Sequence, residues 1–387
     1  MSSPPPVVVI APDSLKGSCT SPQAAAALAE GARAALGDGA RVIEVPLADG
    51  GEGTLDALAA AWGGRILGVR TGDALGRDRS GRIGISPDGR TAIVEAAEAN
   101  GLPHVSDRRL RPLDADTAGV GTLLRAALEA GAEEILLCVG GSATNDGGAG
   151  MLRALGARLL DAEGSPIAAG ARGLGGLASL DLSGLLPAAR AARWRIACDV
   201  EHPLTGPNGA AAVFGPQKGA APADIRAIDA GLERLSGLLA AQLGVDPASL
   251  ARRPGTGAAG GLAIGPVALF EAELVPGATL VAEAAGLGDA LADADLVITG
   301  EGRLDAQSLS GKVVSRVVEE ASPRVPVVVI AGSVALSAAE CRSAGITAAL
   351  SVAPGPASLD ELRAQTPRLL AEAAAHACAL ARLPLRG

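Results

Sequence analysis

Cysteine occurs five times, at Cys19, Cys138, Cys198, Cys341 and Cys378, with no CxxC spacing. An odd, scattered set excludes a disulfide framework and reads as the reduced thiols of a cytoplasmic protein. The three histidines, His104, His202 and His376, lie far apart, so no metal cluster is legible. No apolar run reaches the roughly 18 residues that a membrane helix needs, which excludes a membrane partner. No basic stretch precedes Val7-Val8-Val9-Ile10, so no leader is expected. The balance of 33 cations against 42 anions gives −9. With no basic run, that charge excludes nucleic acid as a partner. Nor is the chain disordered, at 48% apolar and only 19% charged residues. Its 387 residues can bury a large core. At roughly 150 residues each, two or three domains are expected.

Lysine is rarer than the charge count suggests. Only Lys16, Lys218 and Lys312 are lysine, against 30 arginines. Asparagine is confined to Asn100, Asn145 and Asn208, tyrosine is absent, and phenylalanine occurs twice. Alanine, glycine, arginine and proline abound, as in chains encoded by G+C-rich codons. There an ordinary surface cation drifts to arginine, and a lysine that persists marks a place where arginine does not serve. Each lysine touches a glycine: Lys16-Gly17, Lys218-Gly219 and Gly311-Lys312. Lysine is a compact point charge suited to phosphate, whereas the arginine fork is broad. The plainer reading is that lysine and glycine both favour loops.

Elements alternate along the chain. Val7–Ala11 reads as a short buried strand, and Ser21-Pro22 opens a helix that Gly37 stops. Val42–Pro46 is a strand, a helix follows to about residue 61, and a strand lies near Arg65–Val69. Arg82–Ile85 and Thr91–Val94 flank Ser86-Pro87-Asp88-Gly89-Arg90 as a β-hairpin. Strands then recur at Ile135–Val139, Arg195–Cys198, Asp295–Thr299, Val325–Ala331 and Ile346–Ser351. Helices are predicted over 119–130, 149–156 and 222–243, and from Lys312 onward. This alternation predicts an α/β fold, a doubly wound and largely parallel sheet domain with a second α/β domain inserted into it. The first, Rossmann- or flavodoxin-like and discontinuous, would use 1–70 and 270–387, and the insert 71–269. The alternative is two consecutive domains split near residue 190.

Ligands of parallel α/β sheets bind at the carboxyl ends of the strands. Four loops there are rich in glycine, carboxylate and lysine. Asp13-Ser14-Leu15-Lys16-Gly17-Ser18 sets a carboxylate and an ammonium before a helix, or is an ordinary turn. Ala48-Asp49-Gly50-Gly51-Glu52-Gly53-Thr54 brings two carboxylates within one short loop, which suits Mg²⁺ or a general base, or merely a helix N-terminus. Gly140–Gly150 holds five glycines, two hydroxyls, an amide and a carboxylate, and its backbone N–H groups could converge on phosphate. It lacks the Gly-Lys-Ser/Thr of a Walker A loop. Thr299–Lys312 offers Glu301, Arg303, Asp305 and Lys312 at a strand-to-helix junction. Gly255-Thr256-Gly257-Ala258-Ala259-Gly260 matches GxGxxG but follows Arg252-Arg253-Pro254 instead of a buried strand, so it reads as a flexible segment.

Together these loops, with Ala197-Cys198-Asp199-Val200, Gly206-Pro207-Asn208-Gly209 and Phe214-Gly215-Pro216-Gln217-Lys218-Gly219, resemble the bacterial type I glycerate kinase family in matching order from about residue 8 to 335. Two departures are Leu15, where an aromatic is usual, and a missing aromatic near Thr117-Ala118-Gly119. The tail from about 350 carries no usable motif. The resemblance implies two α/β domains, one inserted in the other, with the site in the cleft. It implies phosphorylation of D-glycerate by ATP and Mg²⁺, usually at the 2-hydroxyl to give 2-phosphoglycerate.

Phosphoryl transfer needs cradled phosphates, neutralised charge and an oriented hydroxyl. The substrate and nucleotide candidates are Asp13, Ser14, Gly141, Ser142, Thr144, Asn145, Asp146, Gly147, Lys218 and Arg303, the last for the glycerate carboxylate. Lys16 and Lys312 are the catalytic cations. Asp49, Glu52, Asp199, Glu301 and Asp305 compete for Mg²⁺ and for the role of base. We assign Glu52 and Glu301 to the metal and Asp49, Asp199 and Asp305 to catalysis. Partners would be small molecules only, with a monomer or homodimer. A hydroxy-acid dehydrogenase, resting on GxGxxG, and a non-catalytic nucleotide-binding regulator are the rivals.

Overall fold

The computed structural model describes residues 5–381 apart from 38, 322 and 324. Its strands are β1 (Val7–Ile10), β2 (Arg41–Glu44), β3 (Arg65–Gly72), β4 (Asp78–Ile85) and β5 (Thr91–Glu95). Next come β6 (Glu134–Cys138), β7 (Arg158–Leu160), β8 (Ser179–Asp181) and β9 (Arg193–Ala197). The order ends with β10 (Glu273–Val275), β11 (Leu296–Leu304), β12 (Val327–Val334) and β13 (Ala348–Ser351). The fold is mixed α/β with mostly parallel sheets. The chain divides into two compact units. One takes the residues up to Asp49, Asp56–Gly63 and those from Gly277 on; the other takes Gly50–Leu55 and Gly64–Pro276.

The first unit holds a five-stranded parallel sheet in the order β13-β12-β11-β1-β2. Counted within the unit, this is a flavodoxin-like order whose reversal falls between β1 and β11. Apolar runs such as Val327–Ala331 are buried, as strands covered on both faces require. Thr20 and Gln23 cap the helix Ser21–Leu36 reciprocally, which places its alanine-rich face on the sheet. The tail packs there too. Helix Thr366–Ala381 lies so close that a Cβ at Gly31 would fall 1.9 Å from the Ala371 carbonyl oxygen. No side chain larger than hydrogen fits that crossing.

In the second unit six strands run β10-β9-β6-β5-β4-β3. β5, β6, β9 and β10 are parallel, whereas β3, β4 and β5 pair antiparallel. At the expected hairpin, Asp88 accepts from Ser86 Oγ at 2.6 Å and from Arg90 N at 3.0 Å, and Gly89 supplies a φ of 78°. The core is aliphatic, with Trp194 stacked on Phe270 at 5.0 Å.

Three local expectations change. The strand at Arg65–Gly72 pairs with β4 in the second sheet instead of joining the first. β11 does not stop at Thr299 but runs on to Leu304, because β12 continues to pair with it as far as Val334. Glycines allow this close pairing: a Cβ at Gly300 would lie 2.3 Å from the Ile330 carbonyl oxygen. The GxGxxG segment is packed, not flexible: Gly260 lies against the Thr144 carbonyl, and Gly147 N–H donates to the Gly260 carbonyl at 3.0 Å. Among the described residues, no helix is long and apolar enough to cross a membrane.

Candidate functional site

In the first unit the candidates gather at the strand-order reversal. Beyond β1 the backbone stays bonded to β11: Ala11 N–H donates to Ile298 O and Asp13 N–H to Gly300 O, both at 2.8 Å. Leu47 N–H donates to Pro12 O at 2.9 Å and brings in the segment that ends at Asp49. Asp13 therefore lies beside Glu301. Burial pushes the Asp13 carboxyl up to about 6, against the pull of the Ser14 N–H at 2.6 Å; Asp49 adds to the rise and Lys16 opposes it. Glu301 is pushed up to about 7, first by burial, while the Ser308 hydroxyl draws it down and the Asp13 charge drives it up. One Glu301 carboxylate oxygen is buried with no protein partner. Two carboxylates that hinder each other's ionisation call for a cation or a shared proton.

Around this pair the remaining groups are more open. Lys16 and Lys312 are exposed. Lys312 sits at the N-terminal boundary of helix Val313–Glu320. Arg303 is exposed, with its Nε 3.3 Å from Asp305. Asp305 also accepts from Gln307 N at 2.9 Å and caps the turn Ala306–Leu309, so its carboxylate is engaged in holding local structure.

In the second unit two of the sequence-predicted loops meet. A Cβ at Gly140 would fall 3.4 Å from Gly51 Cα. The loop that carries Glu52 is fixed by Thr54 Oγ1, which donates to Gly51 O at 2.7 Å, and by buried Glu95, which accepts from Leu55 N at 2.7 Å. Glu52 itself is exposed. Gly140 and Gly141 form an exposed crest, whereas Ser142 through Gly150 are buried.

The buried part of that loop is engaged with the protein. Lys218 Nζ donates to Ser142 Oγ at 3.1 Å and to Thr144 O at 2.7 Å. Asn100 Nδ2 donates to Thr144 Oγ1 at 2.9 Å, and Asn145 Nδ2 to Pro112 O at 3.3 Å. Asp146 accepts from Thr117 N and Oγ1, Gly148 N and Gly150 N, at 2.8 to 3.2 Å. It thereby fills the helix start that the sequence offered to phosphate. Burial and the neighbouring Asp116 still raise its carboxyl to about 6. Gly147, at φ 63°, leaves room for Leu235, which a Cβ would approach to 2.6 Å. The loop's open surface is thus the Gly140–Gly141 crest.

Asp199 lies exposed just after β9, and the neighbouring Cys198 thiol is pushed up first by burial and further by the Asp199 charge, against the pull of Val200. Among the described residues no group of three or more His, Cys, Asp or Glu side chains could hold a metal ion. Magnesium commonly uses only one or two carboxylates beside phosphate and water. Asp13 and the partnerless Glu301 oxygen fit that pattern. Asn100, Thr117 and Glu95 were not among the sequence candidates. Asn100 had a signal, as one of only three asparagines in the chain.

A sequence profile described as the glycerate kinase family matches residues 8–382. The glycerate kinase of Halalkalibacterium halodurans is 44% identical over 368 residues, 95% of this chain and 96% of that protein. The glycerate 2-kinase of Escherichia coli is 43% identical, over 92% of each chain. A crystal structure described as a putative glycerate kinase 2 from Salmonella typhimurium superposes with a TM-score of 0.88 at 44% identity, over 97% of this chain and 98% of that one.

Proposed function

This chain belongs to the glycerate kinase family, which makes it a kinase of small molecules with ATP as donor, and we propose that it transfers the γ-phosphoryl group to the 2-hydroxyl of D-glycerate. The observation that carries the regiochemistry is the near full-length match to a relative named glycerate 2-kinase.

Roles follow from chemistry within each unit. Asp13 and Glu301 would hold Mg²⁺, which when bound offsets phosphate charge. Asp49, half-buried and close enough to raise the Asp13 carboxyl, is the proposed base for the substrate hydroxyl. Lys16 and Lys312, exposed near the two carboxylates, would neutralise the transferring group, as phosphoryl transfer requires. The Arg303 fork is the proposed partner of the glycerate carboxylate, with Asp305 holding it until substrate arrives. In the second unit, the Gly140–Gly141 crest is the proposed phosphate cradle. ATP as donor, together with five free cysteines, supports a cytoplasmic enzyme.

Phosphorus NMR of the product from ATP and D-glycerate tests the reading. A 2-phosphoglycerate signal is expected. A 3-phosphoglycerate signal would remove the regiochemistry alone, and failure to form either would remove the substrate.

A further inference from the structure

We propose that Lys218 is a positioning residue, tying the Gly140–Gly150 loop together from its buried side and setting the shape of the Gly140–Gly141 crest without touching phosphate. The proposal rests on the reading of that crest as a phosphate cradle. The Lys218 ammonium donates to Ser142 Oγ at 3.1 Å and to Thr144 O at 2.7 Å. These acceptors flank Ala143, whose N–H is held by the Asn100 carbonyl at 2.8 Å. Asn100 Nδ2 also holds the Thr144 hydroxyl. The loop is therefore pinned by a cation and by an amide.

The cation is buried, with Lys218 only 2% exposed. Nor can its backbone withdraw. Lys218 N–H donates to Gly215 O at 3.0 Å, and Gly219 follows at φ 87°, where a Cβ would fall 2.8 Å from Leu110 Cβ. A broad guanidinium would have to seat five N–H groups where two acceptors converge. That explains a lysine retained among 30 arginines.

Of the charged groups around it, Asp146 acts on Lys218 directly. Asp116 acts in turn on Asp146, and Arg153 pairs with Asp116 at 2.6 Å. Burial pushes the Lys218 ammonium down to about 7, and Asp146 draws it back up. Loss of the proton turns two charge-assisted bonds into ordinary ones, which are about half as strong. The tie should therefore loosen as the solution becomes alkaline.

Acetylation of the native enzyme by acetic anhydride, with and without ATP, tests this directly by peptide mass spectrometry, because the chain has only three lysines. Exposed Lys16 and Lys312 should react, and Lys218 should stay unmodified in both samples. Acetylation of Lys218 as fast as Lys16, whether or not ATP protects it, would overturn the proposal. Wild-type activity should fall on the alkaline side as Lys218 loses its proton, and Lys218→Met should lower kcat/KM by about 10²-fold, mostly through kcat, and remove that fall. A lower melting temperature with kcat unchanged would make Lys218 merely structural and also overturn it. Gly141→Ala, at φ 73°, separates the underlying reading. An unchanged KM for ATP there removes the cradle, while the acetylation map still decides whether Lys218 is a buried tie.

Discussion

The backbone N–H of Asp13 donates to the carbonyl of Gly300 at 2.8 Å, one residue before Glu301. A main-chain bond thus fixes one acidic side chain beside another, so the pair cannot relax by moving either loop alone. Glu301 is held at about 7 against an ordinary 4.5, and Asp13 at about 6 against 3.8. Between those limits the folded state binds more protons than the unfolded one. The resulting stability is complete below about 4 and is lost as pH rises through about 7. Without Mg²⁺, the melting temperature should be higher at about pH 5.5 than at about pH 8, and Glu301→Gln should flatten the difference. A wild-type midpoint that climbs over this range would refute the claim that these carboxyls are strained.

Glu301→Gln and Asp49→Asn should separate metal holding from proton transfer. The first should lower activity in a way that raised Mg²⁺ partly restores, and calorimetric titration should show weakened Mn²⁺ binding. Asp49→Asn should lower kcat by about 10²-fold or more, with no restoration by Mg²⁺. Steady-state kinetics across a Mg²⁺ series reads both. Equal rescue of the two variants would undo the division of roles.

Lys16→Arg and Lys312→Arg keep the charge and change its shape. Each should lower kcat and kcat/KM together by about 10²-fold, as for a contact made in the transition state. Near wild-type turnover in both variants would show that a point charge is not what these positions require.

Gly300→Ala tests the extended pairing of β11. Its Cβ would meet the Ile330 carbonyl oxygen at 2.3 Å, a backbone atom that cannot swing aside. A loss of about 1–3 kcal/mol in urea unfolding is expected. An unchanged midpoint would mean that β11 and β12 separate here at little cost.

Asp199→Asn and Asp146→Asn probe the second unit. Asp146 holds four donors in the interior, so its amide variant should lose stability as well as activity. Exposed Asp199 should lose less stability than Asp146, and a fall in kcat with an unchanged melting temperature would reflect chemistry. Circular-dichroism melts beside initial rates distinguish the two.

Much of the strand–helix alternation was legible because apolar runs and caps are local signals. Ser21 and Pro22 announce their helix, although the cap is Thr20, one residue earlier, and Ser86 through Arg90 announce their hairpin. The end of β11 was not legible, since its continuation past Thr299 depends on a partner strand and on glycines that permit close approach. In the site, glycine and carboxylate content marked the loops, but the same residue types serve as struts and as ligands. Asp146 and Lys218 look like exposed site groups in sequence and are buried in the fold. The loop that carries Asp146 and binds Lys218 is held by Asn100, Thr117 and Gly260, all distant from it in sequence. Asp305 likewise looked catalytic, yet its geometry is that of a turn cap.

The sheet of the first unit has a consequence for synthesis on the ribosome. β1 lies between β2 and β11, and the Thr299 hydroxyl closes onto the Ala11 carbonyl across 288 residues. Until β11 emerges, the N-terminal segment has only β2 as a strand partner, and a lone strand pair is marginal in water. The six strands of the second sheet are all present by Pro276. The later-starting unit can therefore be finished first, while the segment translated earliest waits for β11–β13 and the closing helix Thr366–Ala381. Pausing or truncation after about residue 276 should leave a folded second unit joined to an apolar N-terminal strand that lacks its β11 partner, the species that a chaperone would have to shield.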